Sequence, residues 1–139
     1  MNSEGQSVLV TSLDARIPAL IPAQTAAMRP ARGWLRAVRT ALGLSQAYVA
    51  KKVMVTKQSY GDLEHAEERG AISLHSLQRA ADAMDCELVY FLVPRAKVAG
   101  SFRDLARQHD PQFKHLQASE HSMALENQAV GDLPLRPAK

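Results

Sequence analysis

The chain has 139 residues, 46% of them hydrophobic, which suits one domain of ordinary size with short appendages. No apolar run approaches the roughly 18 residues of a membrane-spanning helix, and the first residues lack the basic and apolar regions of a secretion signal. We therefore expect a cytoplasmic protein. The single cysteine, Cys86, excludes an internal disulfide and a cysteine-based zinc site.

The formal charge of +3 is unevenly distributed along the chain. Between Asp14 and Asp62 there is no acidic residue, whereas eight basic residues fall in that interval: Arg16, Arg29, Arg32, Arg36, Arg39, Lys51, Lys52 and Lys57. This imbalance favours a surface that faces phosphate groups. A solvated basic face is the alternative.

The first part of the chain, residues 1–32, is predicted to be an arm with weak helical character at residues 8–17. Pro18 and Pro22 are expected to interrupt the helix, because proline lacks the N–H group that continues it. The segment RPARG then closes the arm with a turn.

The middle part, residues 33–94, has the apolar spacing of closely spaced short helices. The first is predicted at 33–42, ended by Gly43, and the second at 46–53, capped by Ser45. A third helix should begin after Thr56, and a fourth after Ser73. The residues expected to face inward are Ala47, Val49, Ala50, Val53, Tyr60, Leu63, Leu74, Leu77, Ala80, Ala81 and Met84.

Residues 87–93, within ELVYFLVP, are rich in β-branched and aromatic side chains and predict a strand. A lone strand in a helical domain leaves its edges unpaired, so we expect it to pair with its copy in a homodimer. A further apolar helical turn packed on the bundle is the alternative.

Two short helices joined by a turn of about three residues, inside a basic region, match the geometry that places a helix in the major groove of DNA. The stretch LRAVRTALGLSQAYVAKKVMVTKQSYGDLE resembles the Xre/Cro/phage-repressor helix-turn-helix family. That resemblance covers about residues 33–85. It implies a mainly all-α, lambda-repressor-like bundle that binds double-stranded DNA at a palindromic operator.

The resemblance assigns Gln46 to a phosphate and places Lys57, Gln58 and Asp62 on the exposed face of the recognition helix. The lysine suits a guanine edge, the glutamine an adenine edge and the aspartate a cytosine edge. Other residues are candidates for backbone contacts, which fix register. The full DNA-binding set is Arg36, Arg39, Gln46, Lys51, Lys52, Thr56, Lys57, Gln58, Ser59 and Asp62.

Two residues depart from the family pattern. Met54 occupies the turn position where glycine is usual, so it either adopts a left-handed conformation, at a cost of about 1 kcal/mol, or the turn has another shape. Gly61 lies inside the recognition helix, where it costs about 1 kcal/mol relative to alanine. We expect it to let the backbone approach the duplex.

The last part is predicted to be helical over 95–130, with a frayed tail at 131–139. Asp110 and Pro111 form a favourable helix start. At 100° per residue, Ser122 and Glu126 share a face nearly opposite the apolar side chains of the same helix.

With the flanking segments RPARGWLRAVRTALG, ISLHSLQRAADAMDCELVYFLVPR and HSMALENQAV included, the chain resembles the small bacterial family called mobile mystery protein A. This resemblance spans most of residues 29–130. It implies a Fic-domain protein as partner.

Fic enzymes commonly transfer AMP, and many are inhibited by a helix bearing Ser/Thr-x-x-x-Glu-Gly/Asn. Ser122, Glu126 and Asn127 match that motif, within residues 122–127. The resemblance implies that Glu126 pairs with an active-site arginine that otherwise holds the ATP γ-phosphate. A serine and a glutamate four residues apart are also common on an ordinary solvated helix face.

The sequence does not favour an enzyme, a cofactor or a metal site, because it has no Gly-rich phosphate loop and no clustered metal-ligand spacing. We therefore expect a homodimeric regulator that represses its own operon and acts as antitoxin to a Fic-type AMP-transferase. Two alternatives remain: a plain helix-turn-helix repressor, and an antitoxin to a different toxin class.

Overall fold

The computed structural model describes residues 3–110 together with 112–113. This part of the chain forms six helices and no strand, which confirms the all-α fold class. In chain order they are α1 (Ser3–Ala26), α2 (Trp34–Ala41), α3 (Gln46–Val53), α4 (Lys57–Glu68), α5 (Leu74–Ala83) and α6 (Phe102–His109). The predicted helices at 33–42 and 46–53 agree with α2 and α3 to within one residue at each end.

The described residues fall into two compact units. The described residues within Met1–Ala26 and Phe91–Lys139 form one unit, and Ala27–Tyr90 forms the other. The unit Ala27–Tyr90 contains α2, α3, α4 and α5, which are the four helices predicted for the middle of the chain. Within the described residues, no helix has the length and apolar character needed to cross a membrane.

The core of the unit Ala27–Tyr90 is built around α3, which contacts both α4 and α5. Val49 and Tyr60 are fully buried. The predictions that Ala47 and Leu74 face inward are wrong, because both are exposed, Leu74 to 52%. Ala47 lies about 200° around the helix from Val49. The buried core residues are Leu35, Val49, Ala50, Val53, Tyr60, Ala80 and Met84.

Three helices of this unit begin at capping residues that the sequence identifies. The Ser45 hydroxyl accepts a hydrogen bond from the backbone N–H of Tyr48 at 3.0 Å. The Thr56 and Ser73 hydroxyls accept equivalent bonds at 3.0 and 3.1 Å. Each bond satisfies one of the N–H groups left free in the first turn of a helix, so these starts are fixed locally.

The other unit pairs α1 with α6. Ser101 caps α6 locally, by accepting from the N–H of Asp104 at 3.0 Å. Asp14 of α1 adds a second cap, because its carboxylate accepts from the N–H groups of Phe102 at 2.7 Å and Arg103 at 3.2 Å. A carboxylate at this position also complements the positive end of the helix dipole.

The predicted interruption of the arm at Pro18 and Pro22 is wrong, because α1 continues through both residues to Ala26. The two prolines are four residues apart and so lie on the same side of the helix, where both are exposed. Asp14, which contacts α6, lies four residues before Pro18 and so on the same side of α1, and the helix continues there although both prolines lack an N–H group.

Residues 87–93 form neither a helix nor a paired strand. The alternative of a further helical turn is therefore wrong. The exposed fractions are 78% for Val89, 69% for Tyr90 and 81% for Leu92. A strand is defined by its partner, so the strand and the dimer remain predictions.

The described chain ends just after the helix start predicted at Asp110. The Asp110 carboxylate accepts from the N–H of Gln112 at 3.1 Å, and Gln112 and Phe113 are helical. The motif at 122–127 and the tail at 131–139 lie outside the described residues.

Candidate DNA-binding surface

The turn between α3 and α4 is formed by Met54, Val55 and Thr56. Met54 adopts the left-handed conformation, with φ 70° and ψ 43°. The N–H of Val55 then reaches back to the carbonyl of Ala50 at 3.0 Å, and the N–H of Met54 to that of Lys51 at 3.2 Å. This is the hydrogen-bond pattern that closes a helix with a left-handed residue. The left-handed option for Met54 is thus confirmed.

The α4 helix has two chemically different faces. Tyr60, Glu64 and Glu67 are buried. The side chains at the start of the helix that face solvent are Lys57, Gln58, Ser59 and Asp62. Lysine, glutamine and aspartate can each hydrogen-bond to base edges in a major groove, so this face has suitable groups for sequence recognition. Their contact with DNA remains a prediction.

Glu64 is the centre of a buried hydrogen-bond network behind that face. Its carboxylate accepts from Arg39 Nε at 2.6 Å and from Arg39 Nη2 at 3.2 Å. It also accepts from Gln46 Nε2 at 3.1 Å. The side chains of Arg39 and Glu64 are only 14% and 5% exposed. The network therefore joins α2, α3 and α4 beneath the proposed recognition surface.

The protonation state of this network follows from its hydrogen bonds. Burial by itself raises the pKa of the Glu64 carboxyl, but hydrogen bonding from Arg39 and Gln46, with the polar Tyr60 hydroxyl close by, lowers the pKa below its ordinary value. Glu64 is therefore ionised at neutral pH. Burial also raises the pKa of Tyr60, whose hydroxyl has no hydrogen-bond partner of normal geometry among the described residues.

The basic residues fall into two groups: those whose side chains bond to the protein itself, and those exposed to solvent and free to contact phosphates. Arg39 is held by Glu64 and by the carbonyl of Leu44, at 3.0 Å. Arg29 donates to the carbonyl of Glu67 at 3.0 Å, at the end of α4. These side chains stabilise the fold, so the phosphate-facing role predicted for Arg39 loses support. Lys51, Lys52 and Lys57 are exposed. The Nζ atom of Lys52 lies 5.5 Å from the centre of the Tyr48 ring.

Glu67 has a structural role that was not predicted from the sequence. Its carboxylate accepts from the N–H of Trp34 at 2.8 Å and of Leu35 at 2.9 Å, and so caps α2 from α4. Gly33, which precedes α2, has no side chain for this purpose. Two features of the sequence could have indicated this cap. Gly33 leaves α2 without a local cap, and Glu67, three residues after Glu64, lies on the same face of α4.

The remaining DNA-binding candidates lie near these residues. Thr56 is exposed and caps α4. Arg36 is half-buried on α2, and its side chain makes no hydrogen bond or ion pair with the described residues. Ser122, Glu126 and Asn127 lie outside the described residues. Within the described part, no group of acidic, histidine or cysteine residues could hold a metal ion.

Comparison with known families agrees with this geometry. A helix-turn-helix family model matches residues 35–91. The chain therefore contains an Xre-like helix-turn-helix domain, of the kind found in DNA-binding regulators. No curated protein and no solved structure matches the chain.

Proposed function

We propose that the protein is a homodimeric transcription regulator that binds DNA through α4 and also inhibits a Fic-type AMP-transferase. The DNA-binding part rests on one observation: α4 buries Tyr60, Glu64 and Glu67 while it exposes Lys57, Gln58 and Asp62 within a matched helix-turn-helix domain. Its operator has two-fold symmetry, with half-sites about one helical turn apart.

The α4 and α3 helices contact different parts of the duplex. The start of α4 enters the major groove, where Lys57 and Gln58 hydrogen-bond to base edges. The start of α3 faces a phosphate, because its first N–H groups and the Gln46 amide are there. Lys51 and Lys52 add sequence-independent attraction to the backbone.

The first prediction tests the recognition helix. Lys57→Ala and Gln58→Ala should each weaken binding by about 1–3 kcal/mol and relax sequence preference, because each removes a base contact. Fluorescence anisotropy of the full chain, with a duplex enriched from a randomised library by the wild-type protein, measures this change.

Matched controls are available at exposed positions outside the proposed interface. Lys97→Ala removes the same charge and Gln78→Ala the same amide, and both residues are exposed. Neither control should weaken binding by more than about 0.5 kcal/mol. Unchanged affinity in both α4 variants would show that α4 is not the recognition helix.

The proposed Fic inhibition rests on the HSMALEN sequence and on the resemblance that implies a Fic partner. A carboxylate competes with a phosphate for the same planar arginine donors. In this mechanism Glu126 blocks productive ATP binding in the partner. Ser122 and Asn127 complete the motif beside it.

The second prediction tests the glutamate. Glu126→Gly should restore AMP transfer by the proposed Fic-domain partner, measured with labelled ATP, while the complex still forms on size-exclusion chromatography. Glu120→Gly is the control, because it places the same residue change outside the motif and should remain inhibitory.

Other outcomes favour the two alternatives. Inhibition that survives Glu126→Gly would exclude the glutamate mechanism and favour neutralisation by occlusion. Absence of any complex with a Fic protein would leave a plain repressor, or an antitoxin to a different toxin class.

A further inference from the structure

The buried Glu64 carboxylate connects the core of the helix-turn-helix domain to the start of α3. One oxygen of Glu64 accepts from Arg39 Nε at 2.6 Å. The other oxygen accepts from both Arg39 Nη2, at 3.2 Å, and Gln46 Nε2, at 3.1 Å. Arg39 thus fixes the carboxylate, and the carboxylate in turn contacts the side chain at the first position of α3.

An ionised carboxylate imposes one orientation on the Gln46 amide. A carboxylate only accepts hydrogen bonds, so the amide must turn its NH2 group, and not its oxygen, towards Glu64. The terminal torsion of a glutamine is otherwise broad, and its NH2 and oxygen exchange places easily. The NH2 group has two hydrogens, so one remains after the bond to Glu64 is made.

The Gln46 amide also lies close to the backbone of α4. A side chain built at Gly61 would place its Cβ 3.6 Å from Gln46 Oε1 and 3.8 Å from Nε2. Gln46 therefore lies against the backbone of α4 and is half-buried. The amide thus bonds to Glu64 and lies beside Gly61 of α4, while its own helix begins with N–H groups suited to a phosphate.

We propose that Glu64 is a positioning residue for DNA binding: it holds the Gln46 amide with one N–H directed to the protein and the other available to a DNA phosphate. This inference rests on the proposed DNA binding. It adds that a buried side chain of α4 acts on DNA binding without touching DNA. Through Gln46 of α3, Glu64 helps to fix the register of the protein on the duplex.

A double-mutant cycle on the full chain tests the proposal. Gln46→Ala should lower affinity for the enriched duplex about tenfold, the equivalent of one hydrogen bond to a charged group. Glu64→Gln should lower it about fivefold or more in the wild type, yet less than about twofold in the Gln46→Ala background. Leu35→Ala is the control, because it destabilises the core without touching Gln46. Its effect on affinity should be the same in the wild-type and Gln46→Ala backgrounds.

Three outcomes would overturn the proposal. Equal losses from Glu64→Gln in both backgrounds would show that Glu64 acts only through stability. No effect of Gln46→Ala, while Lys57→Ala still weakens binding, would leave the proposed function intact but exclude the phosphate contact. Absence of DNA binding by the wild-type protein would exclude both together.

A second measurement needs no variant and so does not depend on the folding of Glu64→Gln. Nitrogen-15 relaxation of the Gln46 side-chain amide in the free protein should show a rigid group, in contrast to the exposed Gln58 amide. A Gln46 amide as mobile as that of Gln58 would contradict the proposal.

Discussion

Met54 shows how one residue carries strain in the turn between α3 and α4. It is 86% exposed and has φ 70°, in the region that favours glycine. A side chain in that conformation costs about 1 kcal/mol, and its exposure means that little packing compensates for the cost. The turn is therefore maintained by its neighbours, chiefly the Thr56 cap and the bond from Val55 to Ala50.

The third prediction follows from this strain. Met54→Gly should raise the free energy of unfolding by about 0.5–1 kcal/mol, because relief of strain exceeds the added entropy of the unfolded chain. Urea denaturation measures the change. Met54→Ala removes the same side chain but keeps the Cβ, so an equal gain from that control would assign the effect to the exposed side chain instead.

At the same scale, packing does not require the glycine at position 61. An added Cβ would lie 3.6 Å from the nearest atom of Gln46, an ordinary contact distance. The expectation that Gly61 allows close approach to the duplex remains a prediction.

At the scale of elements, α2 and α4 are joined by a capping interaction over a long sequence separation. The two N–H groups that begin α2 donate to Glu67, which is 4% exposed. Gly33 must be small to allow this contact, since a Cβ there would lie 2.6 Å from Glu67 Oε1. The conformation of Gly33, with φ 98°, adds a second reason for glycine.

The fourth prediction separates these two reasons. Gly33→Ala should lower the free energy of unfolding by more than about 2 kcal/mol, because it combines backbone strain with a clash against a buried carboxylate. Thermal and urea unfolding measure this loss. Gly70→Ala is the control: Gly70 has φ 75° but open space around it, so strain alone should cost about 1 kcal/mol. Equal losses would mean that Glu67 moves aside without cost.

The same contrast between local and distant contacts explains what the sequence could predict. Ser45, Thr56 and Ser73 bond to N–H groups three residues away, so each cap is visible in a short stretch. The bonds of Glu67 to α2 and of Glu64 to Arg39 span 25 to 33 residues, and no local pattern specifies them.

Proline was the opposite case, in which a local rule gave the wrong result. Pro18 and Pro22 are unfavourable inside a helix, but both lie on one exposed side of α1. The α1 helix also contacts α6 through Asp14, a distant contact that a local rule on proline does not take into account. Likewise, the basic interval predicted a phosphate-facing surface, yet Arg29 and Arg39 in that interval bind carbonyls and a carboxylate of the protein itself.

At the scale of the whole molecule, the exposed apolar segment at 87–93 is the expected contact between two copies. Val89, Tyr90 and Leu92 are each more than two-thirds exposed, an unusual arrangement unless they are covered by a partner. The fifth prediction is that the protein sediments as a dimer, and that Val89→Pro or Tyr90→Pro shifts it to monomer. Adjacent residues direct their N–H groups to opposite edges of a strand, so at least one of the two should remove a ladder bond.

Val89→Thr is the control for this prediction, since it retains the N–H group and a β-branched side chain. The Thr variant should remain dimeric. A protein that sediments as a monomer in every case, or as a dimer in both proline variants, would exclude pairing through this segment.

The contact between Asp14 and Phe102 has a consequence for the order in which the chain acquires its structure. The two residues are 88 positions apart, and all of α2 to α5 lies between them. During synthesis, residues 27–90 emerge complete and can form their core while α6 has yet to be made. The α1 helix, although translated before residues 27–90, must wait for its partner α6. A segment made before the core of residues 27–90 therefore joins one made after it, and deletion of α1 would remove a cap from α6 while leaving the core of residues 27–90 complete.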